Sequence, residues 1–422
     1  MSEKRLPCSE ATLLALAAKV TTPFYLYDET SIRAQISAFK ASFAWVPAFK
    51  NYFAVKACPN PTILKIMLEE GFGADCSSLA ELELARRCGF KGEQIMFTSN
   101  DTPDEEFSLA YAMGAVMNLD DITHLDCIEK VAAVPELISF RYNPGPSRTG
   151  NAIIGNPVEA KYGVTTDQLV RCYELAKKKG AKRFALHTMV ASNELDGSYI
   201  VETARMLFGQ AIRIFKETGI KIEFINMGGG IGIPYRPDQS AMDLDAVSSE
   251  MKHLYESMIV PAGLAPLNIV FECGRMVTGP YGYVVSKVRH VVEKYKRYVG
   301  LDACMANLMR PALYGAYHHI SVLGKSTLPP DQVYDVTGSL CENNDKFAID
   351  RKLPRLEKGD VVILHDAGAH GYAMGFNYNG KLRSAEYLLC VDGSVKMIRR
   401  AETIDDYFST MLFDPLHRLP KV

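Results

Sequence analysis

Residues 51–60 read NYFAVKACPN, in which one lysine closes a run that is otherwise typical of a buried strand. Tyr52 and Val55 favour strand structure, and Pro59 ends the run. A charged side chain is seldom placed there for packing alone, because burying its charge costs free energy. Lys56 is therefore a candidate functional residue, and the stretch around it predicts the first strand of a longer pattern.

Further β-rich runs follow as far as residue 274, and helical segments separate them. The runs are YFAVKA (52–57), GFGADCS (71–77), QIMFTSN (94–100), AVMNLD (115–120), LISFRYN (137–143), RFALHTM (183–189), EFINMGG (223–229) and NIVFECG (268–274). Segments between them, such as NPTILKIMLEEG and SLAELELARRCG, carry apolar residues at helical spacing and end at glycine. This alternation matches the size of an α/β fold of the (β/α)8 TIM-barrel type. A doubly wound open sheet is the alternative.

Polar residues stand at the C-terminal ends of these runs, where a barrel builds its active site. They are Lys56, Asp75, Asn100, Arg141, His187, Gly228 to Gly230, Glu272 and Arg275. An open sheet does not explain so regular a distribution, so the barrel is the favoured architecture.

Beyond about residue 280 the pattern changes to alternating, valine-rich runs punctuated by turns, such as GYVVSKVRHVVEKYKRYVGLD and AEYLLCVDGSVKMIRR. This predicts a mostly antiparallel C-terminal β domain. We assign residues 30–280 to the barrel, and residues 1–29 and 281–422 to the β domain, which would contribute to the active site and the dimer interface. TTPFYLYDE (21–29) is predicted to join the β domain as a strand. The apolar patch before it is interpreted as a helix rather than a signal peptide.

Composition argues against several classes of protein. A formal net charge of −2 gives no basic field for nucleic acid. No apolar stretch approaches the roughly 20 residues of a membrane span. Ten cysteines are scattered with no C-x-x-C pair, which argues against a zinc site and fits a reducing compartment. We expect a cytoplasmic protein that binds no nucleic acid, no membrane and no metal.

Groups on three strands together predict a cofactor. NMGGGIGIPY (226–235) offers successive backbone N–H groups to a phosphate, and Arg275 follows the next strand. Pyridoxal 5'-phosphate needs a lysine for its aldehyde, donors for its phosphate and a carboxylate for its ring nitrogen. Lys56, the glycine loop and Glu272 supply these three functions.

Longer motifs give the chain a specific resemblance. They are FAVKA (53–57), GGGIGIPY (228–235), ECGR (272–275), RPALYGAYH (310–318), GSLCENND (338–345) and AGAHGYAMGFNYN (367–379). Over residues 22–412 the sequence resembles the fold-type III pyridoxal-phosphate decarboxylases, and among them the diaminopimelate decarboxylase group. The resemblance implies a homodimer with active sites at its interface. It also implies a small amino-acid substrate, with meso-2,6-diaminopimelate converted to L-lysine and CO2 in lysine biosynthesis.

The resemblance also implies roles for individual residues. Lys56 would bind the cofactor's aldehyde and Glu272 its pyridine nitrogen, while Cys341 would return a proton to the substrate in the partner subunit's active site. The other cofactor-binding residues would be Asp75, His187, Met189, Ser192, Gly229, Gly230, Arg275 and Tyr378. The substrate-binding residues would be Arg275, Arg310, Tyr314, Glu342 and Tyr378.

The residue types fit a substrate that carries a second amino-acid head group. Arg310, with Tyr314, would hold the distal carboxylate, because a guanidinium binds both of its oxygens. Glu342 would bind the distal ammonium. A thiol such as that of Cys341 is suited to proton donation near neutrality.

Three positions depart from the family pattern. Met189 stands where the family carries a histidine that stacks on the cofactor ring, Cys58 replaces an asparagine, and Cys273 replaces a proline. Methionine packs on a ring through its polarizable sulfur but carries no imidazole. His187 would point in the same direction on an ideal strand. These changes leave the cofactor chemistry intact and open the question of the substrate.

Other functions remain as alternatives. The substrate could be D- or L-ornithine, lysine, carboxynorspermidine or a carrier-linked amino acid, although simple diamines give Arg310 no carboxylate to bind. A non-catalytic homologue is expected to have lost Lys56 or Cys341, and both are present. A lysine-dependent aldolase barrel is expected to lack the β domain and the CEN motif.

Overall fold

The computed structural model describes residues 4–150 and 155–413. The chain divides into two compact units. Of the described residues, the barrel unit contains 4–5, 28–150, 155–281 and 368–373, and the β unit contains 6–27, 282–367 and 374–413. The domain boundaries given above stay a prediction. No sequence pattern indicated that residues 368–373 would join the barrel unit.

The chain opens with helix α1 (Glu10–Lys19) and strand β1 (Phe24–Asp28). The side chain of Ser9 caps α1 by accepting a hydrogen bond from the Thr12 N–H. The helix interpreted from the N-terminal apolar patch is therefore confirmed, and so is the strand within TTPFYLYDE.

The barrel unit is a closed barrel of eight parallel strands, which confirms the predicted fold and excludes the open sheet. Its strands are β2 (Lys50–Ala54), β3 (Gly73–Cys76), β4 (Ile95–Phe97), β5 (Val116–Leu119), β6 (Leu137–Tyr142), β7 (Arg183–Thr188), β8 (Phe224–Asn226) and β9 (Asn268–Phe271). Its helices are α2 (Glu29–Ser42), α3 (Pro61–Glu69), α4 (Leu79–Cys88), α5 (Asp104–Ala112), α6 (His124–Val131), α7 (Thr166–Lys178), α8 (Gly197–Thr218), α9 (Leu244–Leu254) and the short α10 (Arg275–Thr278).

The strands build an apolar layer and, next to it, a more polar one. The apolar layer is the buried cluster Tyr52, Met96, Val116, Leu137, Ala185, Phe224 and Val270. Gly73 contributes no side chain, and the ring of Tyr52 on β2 lies against its Cα instead. Because side chains alternate along a strand, the residue two positions after each member of this layer, and after Gly73, points to the same side of the strand. Those residues are Ala54, Asp75, Thr98, Asn118, Ser139, His187, Asn226 and Glu272.

The β unit is a mostly antiparallel sheet, as predicted. Its further elements are β10 (Gly282–Glu293), β11 (Arg297–Leu301), α11 (Arg310–Tyr314), β12 (Ile320–Val322), β13 (Gln332–Thr337), β14 (Lys346–Leu353), β15 (Val361–Leu364), β16 (Ala385–Leu389), β17 (Val395–Arg399) and α12 (Ile404–Phe408). The strand order is β14-β13-β11-β10-β1-β16-β17, with β15 pairing with β10 and β12. Strands β11 and β13 pair in parallel.

Alternate residues of this sheet form its core. Phe24 and Leu26 of β1 pack with Tyr283 and Val285 of β10 in one buried cluster, which α1 also enters through Leu13. Tyr25, Tyr27 and Val284, which alternate with them and face the other way, are buried as well, so these strands are covered on both faces. Among the described residues, no helix has the length and apolar character needed to cross a membrane.

We predict that Gly73→Ala destabilises the barrel. A Cβ at residue 73 would lie 2.3 Å from Cδ1 of Tyr52 and 2.7 Å from the backbone oxygen of Gln94. Such overpacking lowers the free energy of unfolding by about 1–3 kcal/mol. The matched control is Gly209→Ala in α8, where no atom lies within 4 Å of the new Cβ. The control should gain about 0.5–1 kcal/mol from better helix propensity. Urea unfolding of both variants measures the difference, and equal stability would contradict the packing argument.

Candidate active site

A pocket of about 400 Å³ lies at the C-terminal ends of the barrel strands. Its lining residues are Ala54, Lys56, Asp75, Met189, Ser192, Asn193, Gly229, Gly230, Glu272, Gly274, Arg275 and His370. Eight of the residues predicted to bind the cofactor are thus brought together.

Lys56 lies in a single 3₁₀ turn, Val55–Ala57, that follows β2, and its side chain is exposed. Pro61 then starts α3, and the side chain of Asn60 accepts a hydrogen bond from the Thr62 N–H. On the other side, a Cβ at Gly274 would lie 2.6 Å from the Cβ of Ala57. Glycine at 274 therefore allows the loop after β9 to lie against the turn that carries the lysine.

Glu272 is a buried carboxylate held by three side chains from three strands. His187 Nε2 lies 3.1 Å from Oε2, and Asn226 Nδ2 donates to Oε1 at 2.7 Å. Asn118 Nδ2 donates to the same oxygen at 3.2 Å. Burial alone would raise the pKa of Glu272, but the imidazole of His187 and the amide of Asn226 outweigh it and lower the pKa below its ordinary value. The carboxylate is therefore held ionised.

Asp75, on β3, has the opposite character. Burial raises the pKa of Asp75 well above its ordinary value, and the nearby charge of Glu272 raises it further. Its Oδ1 is buried and has no hydrogen-bond partner in the described part of the chain. The pocket thus contains one carboxyl group held ionised and one that favours its proton, which is typical of sites that separate two chemical roles.

The glycine loop after β8 is fixed by side chains beneath and beside it. Gly228 has φ +67°, and its N–H donates to Asn226 Oδ1 at 2.9 Å. Asn226 therefore binds both the loop and Glu272. The N–H of Gly229, offered to a phosphate in the sequence-based prediction, points in the structure at the sulfur of Met189, 3.2 Å away.

Arg275 starts α10 and is buried. Its Nη1 donates to the hydroxyl of Tyr235 at 2.6 Å, and Tyr235 ends the same GGGIGIPY motif. A guanidinium so held beside the glycine loop is suited to an anion such as phosphate.

The other predicted residues belong to the β unit. The backbone N–H of Cys341 donates to Asn379 Oδ1 at 2.8 Å, which joins the CEN turn to the turn that carries Tyr378. Cys341 and Tyr378 are exposed. Glu342 is half-buried, and its Oε1 accepts from the Asn344 N–H at 3.2 Å. Helix α11 begins with buried Arg310 and ends with exposed Tyr314.

Sequence reasoning missed four residues of the barrel site: Asn118, Asn226, Tyr235 and His370. An amide inside an apolar strand was the available signal for Asn118, in AVMNLD, and for Asn226, in EFINMGG. Tyr235 and His370 lay within motifs that were quoted but not dissected.

The residues present fit pyridoxal 5'-phosphate. Lys56 offers an exposed amine to the aldehyde, and Glu272 offers an ionised carboxylate to the ring nitrogen. Arg275 offers a cation to the phosphate. The buried Oδ1 of Asp75 has hydrogen-bonding capacity that the described residues leave unused. Among these residues no cluster suited to a metal ion occurs.

Comparisons with known proteins agree with this chemistry. The model of the pyridoxal-dependent decarboxylase pyridoxal binding domain matches residues 29–279. Protein TabA of Pseudomonas amygdali pv. tabaci is 44% identical over 395 residues, covering 94% of this chain and 92% of TabA. Diaminopimelate decarboxylase of Methanothermobacter thermautotrophicus is 33% identical over 399 residues, covering 94% and 93%.

Solved structures extend the likeness to three dimensions. Diaminopimelate decarboxylase from M. jannaschii superposes with a TM-score of 0.88 at 28% identity, covering 95% of this chain and 94% of that one. The same enzyme in complex with L-lysine gives a TM-score of 0.88, covering 96% and 95%. With a barrel that holds a lysine, a carboxylate and a glycine loop in one pocket, the chain belongs to the fold-type III pyridoxal-phosphate-dependent decarboxylases.

Proposed function

We propose that the protein decarboxylates meso-2,6-diaminopimelate to L-lysine and CO2, as a cytoplasmic homodimer of lysine biosynthesis. The observation that carries this proposal is the CEN turn of the β unit, in which Cys341 and Glu342 are consecutive residues and the backbone N–H of Cys341 donates to Asn379 Oδ1. The names of several relatives support it.

In the barrel unit, each residue has a distinct task. When bound, the cofactor supplies an electron-accepting ring for the charge left on the substrate's Cα when CO2 departs. Lys56 holds the aldehyde through its amine, and Glu272, kept ionised by His187 and Asn226, holds a proton at the ring nitrogen. Arg275 would bind the phosphate, together with Ser192 and Gly230, which line the same pocket. Met189 packs on the ring.

The β unit supplies the groups that recognise the substrate and complete the reaction. Glu342 binds the distal ammonium, while Arg310 and Tyr314 bind the distal carboxylate. Cys341 donates a proton to the substrate's Cα after CO2 has left, acting in the active site of the partner subunit. Because the proton donor comes from the other chain, the proposed enzyme is active only as a dimer.

A related amino acid is the second candidate substrate. Two observations favour it: identity to TabA is higher than to the diaminopimelate decarboxylase cited above, and Met189 occupies the position of the stacking histidine. D- or L-ornithine, lysine, carboxynorspermidine and carrier-linked amino acids are the alternatives on the same barrel.

Replacing Lys56 by alanine is expected to remove the covalent attachment of the cofactor. The visible absorbance band of the lysine-bound cofactor should vanish, and CO2 release should fall by on the order of 1,000-fold or more. Absorbance spectroscopy of the purified variant checks the first result. Lys65→Ala, an exposed lysine on α3, is the control and should keep both signals. A Lys56→Ala protein that retains the band would overturn the assignment of Lys56.

The substrate is tested by measuring CO2 release from meso-diaminopimelate, L-lysine, and D- and L-ornithine. We expect release from diaminopimelate alone. Arg310→Lys should keep the charge but lose the two-oxygen fork, raising the KM for diaminopimelate by about 10- to 100-fold. Release from none of the four would refute the substrate. Release from lysine, with Arg310→Lys unaffected, would favour the second candidate.

We predict that His187→Gln makes cofactor binding more sensitive to acid. His187 lowers the pKa of Glu272, so its loss should raise that pKa. The lowered pKa keeps the Glu272 carboxylate ionised. Cofactor binding is therefore complete at pH values above this pKa and is lost as the pH falls through it. In the variant this loss should begin at higher pH, as measured by cofactor affinity between pH 4 and 8. If cofactor affinity fell with decreasing pH in the variant as it does in the wild type, His187 would not control the charge of Glu272.

A further inference from the structure

His370 lies in the segment 368–373, which lies between β15 and β16 in the sequence but belongs to the barrel unit. Its backbone N–H donates to the carbonyl oxygen of Ala57 at 2.8 Å, and the N–H of Gly368 donates to the oxygen of Gly279 at 3.1 Å. Ala57 is the residue after Lys56. The backbone of His370 is therefore held directly beside the turn that carries the lysine.

The backbone conformation of His370 is uncommon for a residue other than glycine. Its φ is +53°, in the left-handed region that glycine adopts without strain and that a side chain with a Cβ disfavours. A non-glycine residue held there at a pocket points to a use for its side chain, since such strain clusters at functional sites. The side chain of His370 is half-buried.

The imidazole of His370 also differs chemically from the rest of the pocket lining. The charged residues that share the lining with it are Lys56, Asp75, Glu272 and Arg275. Histidine is the side chain that ordinarily titrates near neutrality, and His370 is the one histidine among the described lining residues. His187 lies deeper, is fully buried and has Nε2 on Glu272.

We propose that His370 exchanges a proton with the amine of Lys56 each time Lys56 takes up the cofactor's aldehyde. The Lys56 ammonium gives one proton to the neutral imidazole, and the amine nitrogen then attacks the aldehyde carbon. As the C–O bond breaks, His370 returns its proton to the departing oxygen, which leaves as water together with a proton from the nitrogen. Nitrogen keeps one hydrogen in its new double bond to carbon, so atoms and charge balance.

This role rests on the cofactor and not on the identity of the substrate. A failure of the substrate proposal would therefore leave it standing, because its test uses pyridoxal 5'-phosphate alone.

The test measures how fast the full-length, cofactor-depleted protein forms the visible absorbance band after pyridoxal 5'-phosphate is added. In the wild type we expect the rate to rise with pH across the neutral range, as His370 becomes neutral and able to accept the proton. His370→Asn removes the imidazole with a residue that tolerates the left-handed region. At neutral pH it should slow the rate by on the order of 100-fold and remove that inflection. An unchanged rate and pH profile would overturn the proposal.

His370→Gly separates chemistry from folding. Glycine relaxes the backbone, so its melting temperature should not fall below that of the wild type. Its band should nevertheless form slowly, and added imidazole should restore part of the rate. His253→Gln, an exposed histidine on α9, is the matched control and should behave as wild type throughout. If added imidazole raised the rate of band formation equally in His253→Gln and in His370→Gly, the effect would not arise at residue 370. That result would overturn the proposal.

Discussion

The buried carboxylate of Glu272 is the constraint on which the barrel interior depends. An ionised carboxylate is costly to bury unless hydrogen bonds surround it. His187, Asn226 and Asn118 meet that need from β7, β8 and β5, each at the position two residues beyond an apolar layer residue. The barrel is therefore apolar in one layer and polar in the next. Its stability and its chemistry are built from the same strands.

The arrangement around Glu272 also orders the rest of the pocket. Asn226 binds the carboxylate through Nδ2 and the glycine loop through Oδ1, so the position of the loop depends on the position of the acid. Burial raises the pKa of Asp75 on β3, and the same negative charge raises it further. The buried charge of Glu272 thus helps to fix the backbone of the glycine loop and to keep Asp75 protonated. In this way a rigid barrel preorganises a site.

Much of this could be predicted from the sequence because it follows local periodicity. The alternation of strands and helices indicated the barrel, and polar residues at strand ends indicated Lys56 and Glu272. Other features depend on contacts between distant segments and leave no local pattern. The Gly229 N–H points at Met189, 40 residues away, and His370 reaches the turn of Lys56 from a segment inserted between strands of the β unit. The parallel pairing of β11 with β13 is non-local in the same sense.

Met189 lines the pocket with a side chain that cannot take part in proton transfer. A thioether sulfur is a weak acceptor and carries no proton, so the side chain can be held by the Gly229 N–H without any change between pH 5 and 8. An imidazole there would have titrated within that range and placed a variable charge beside the glycine loop. With sulfur at 189 the charge near the loop stays constant. His370, held beside the turn of Lys56, is then the one histidine among the described residues that line the pocket.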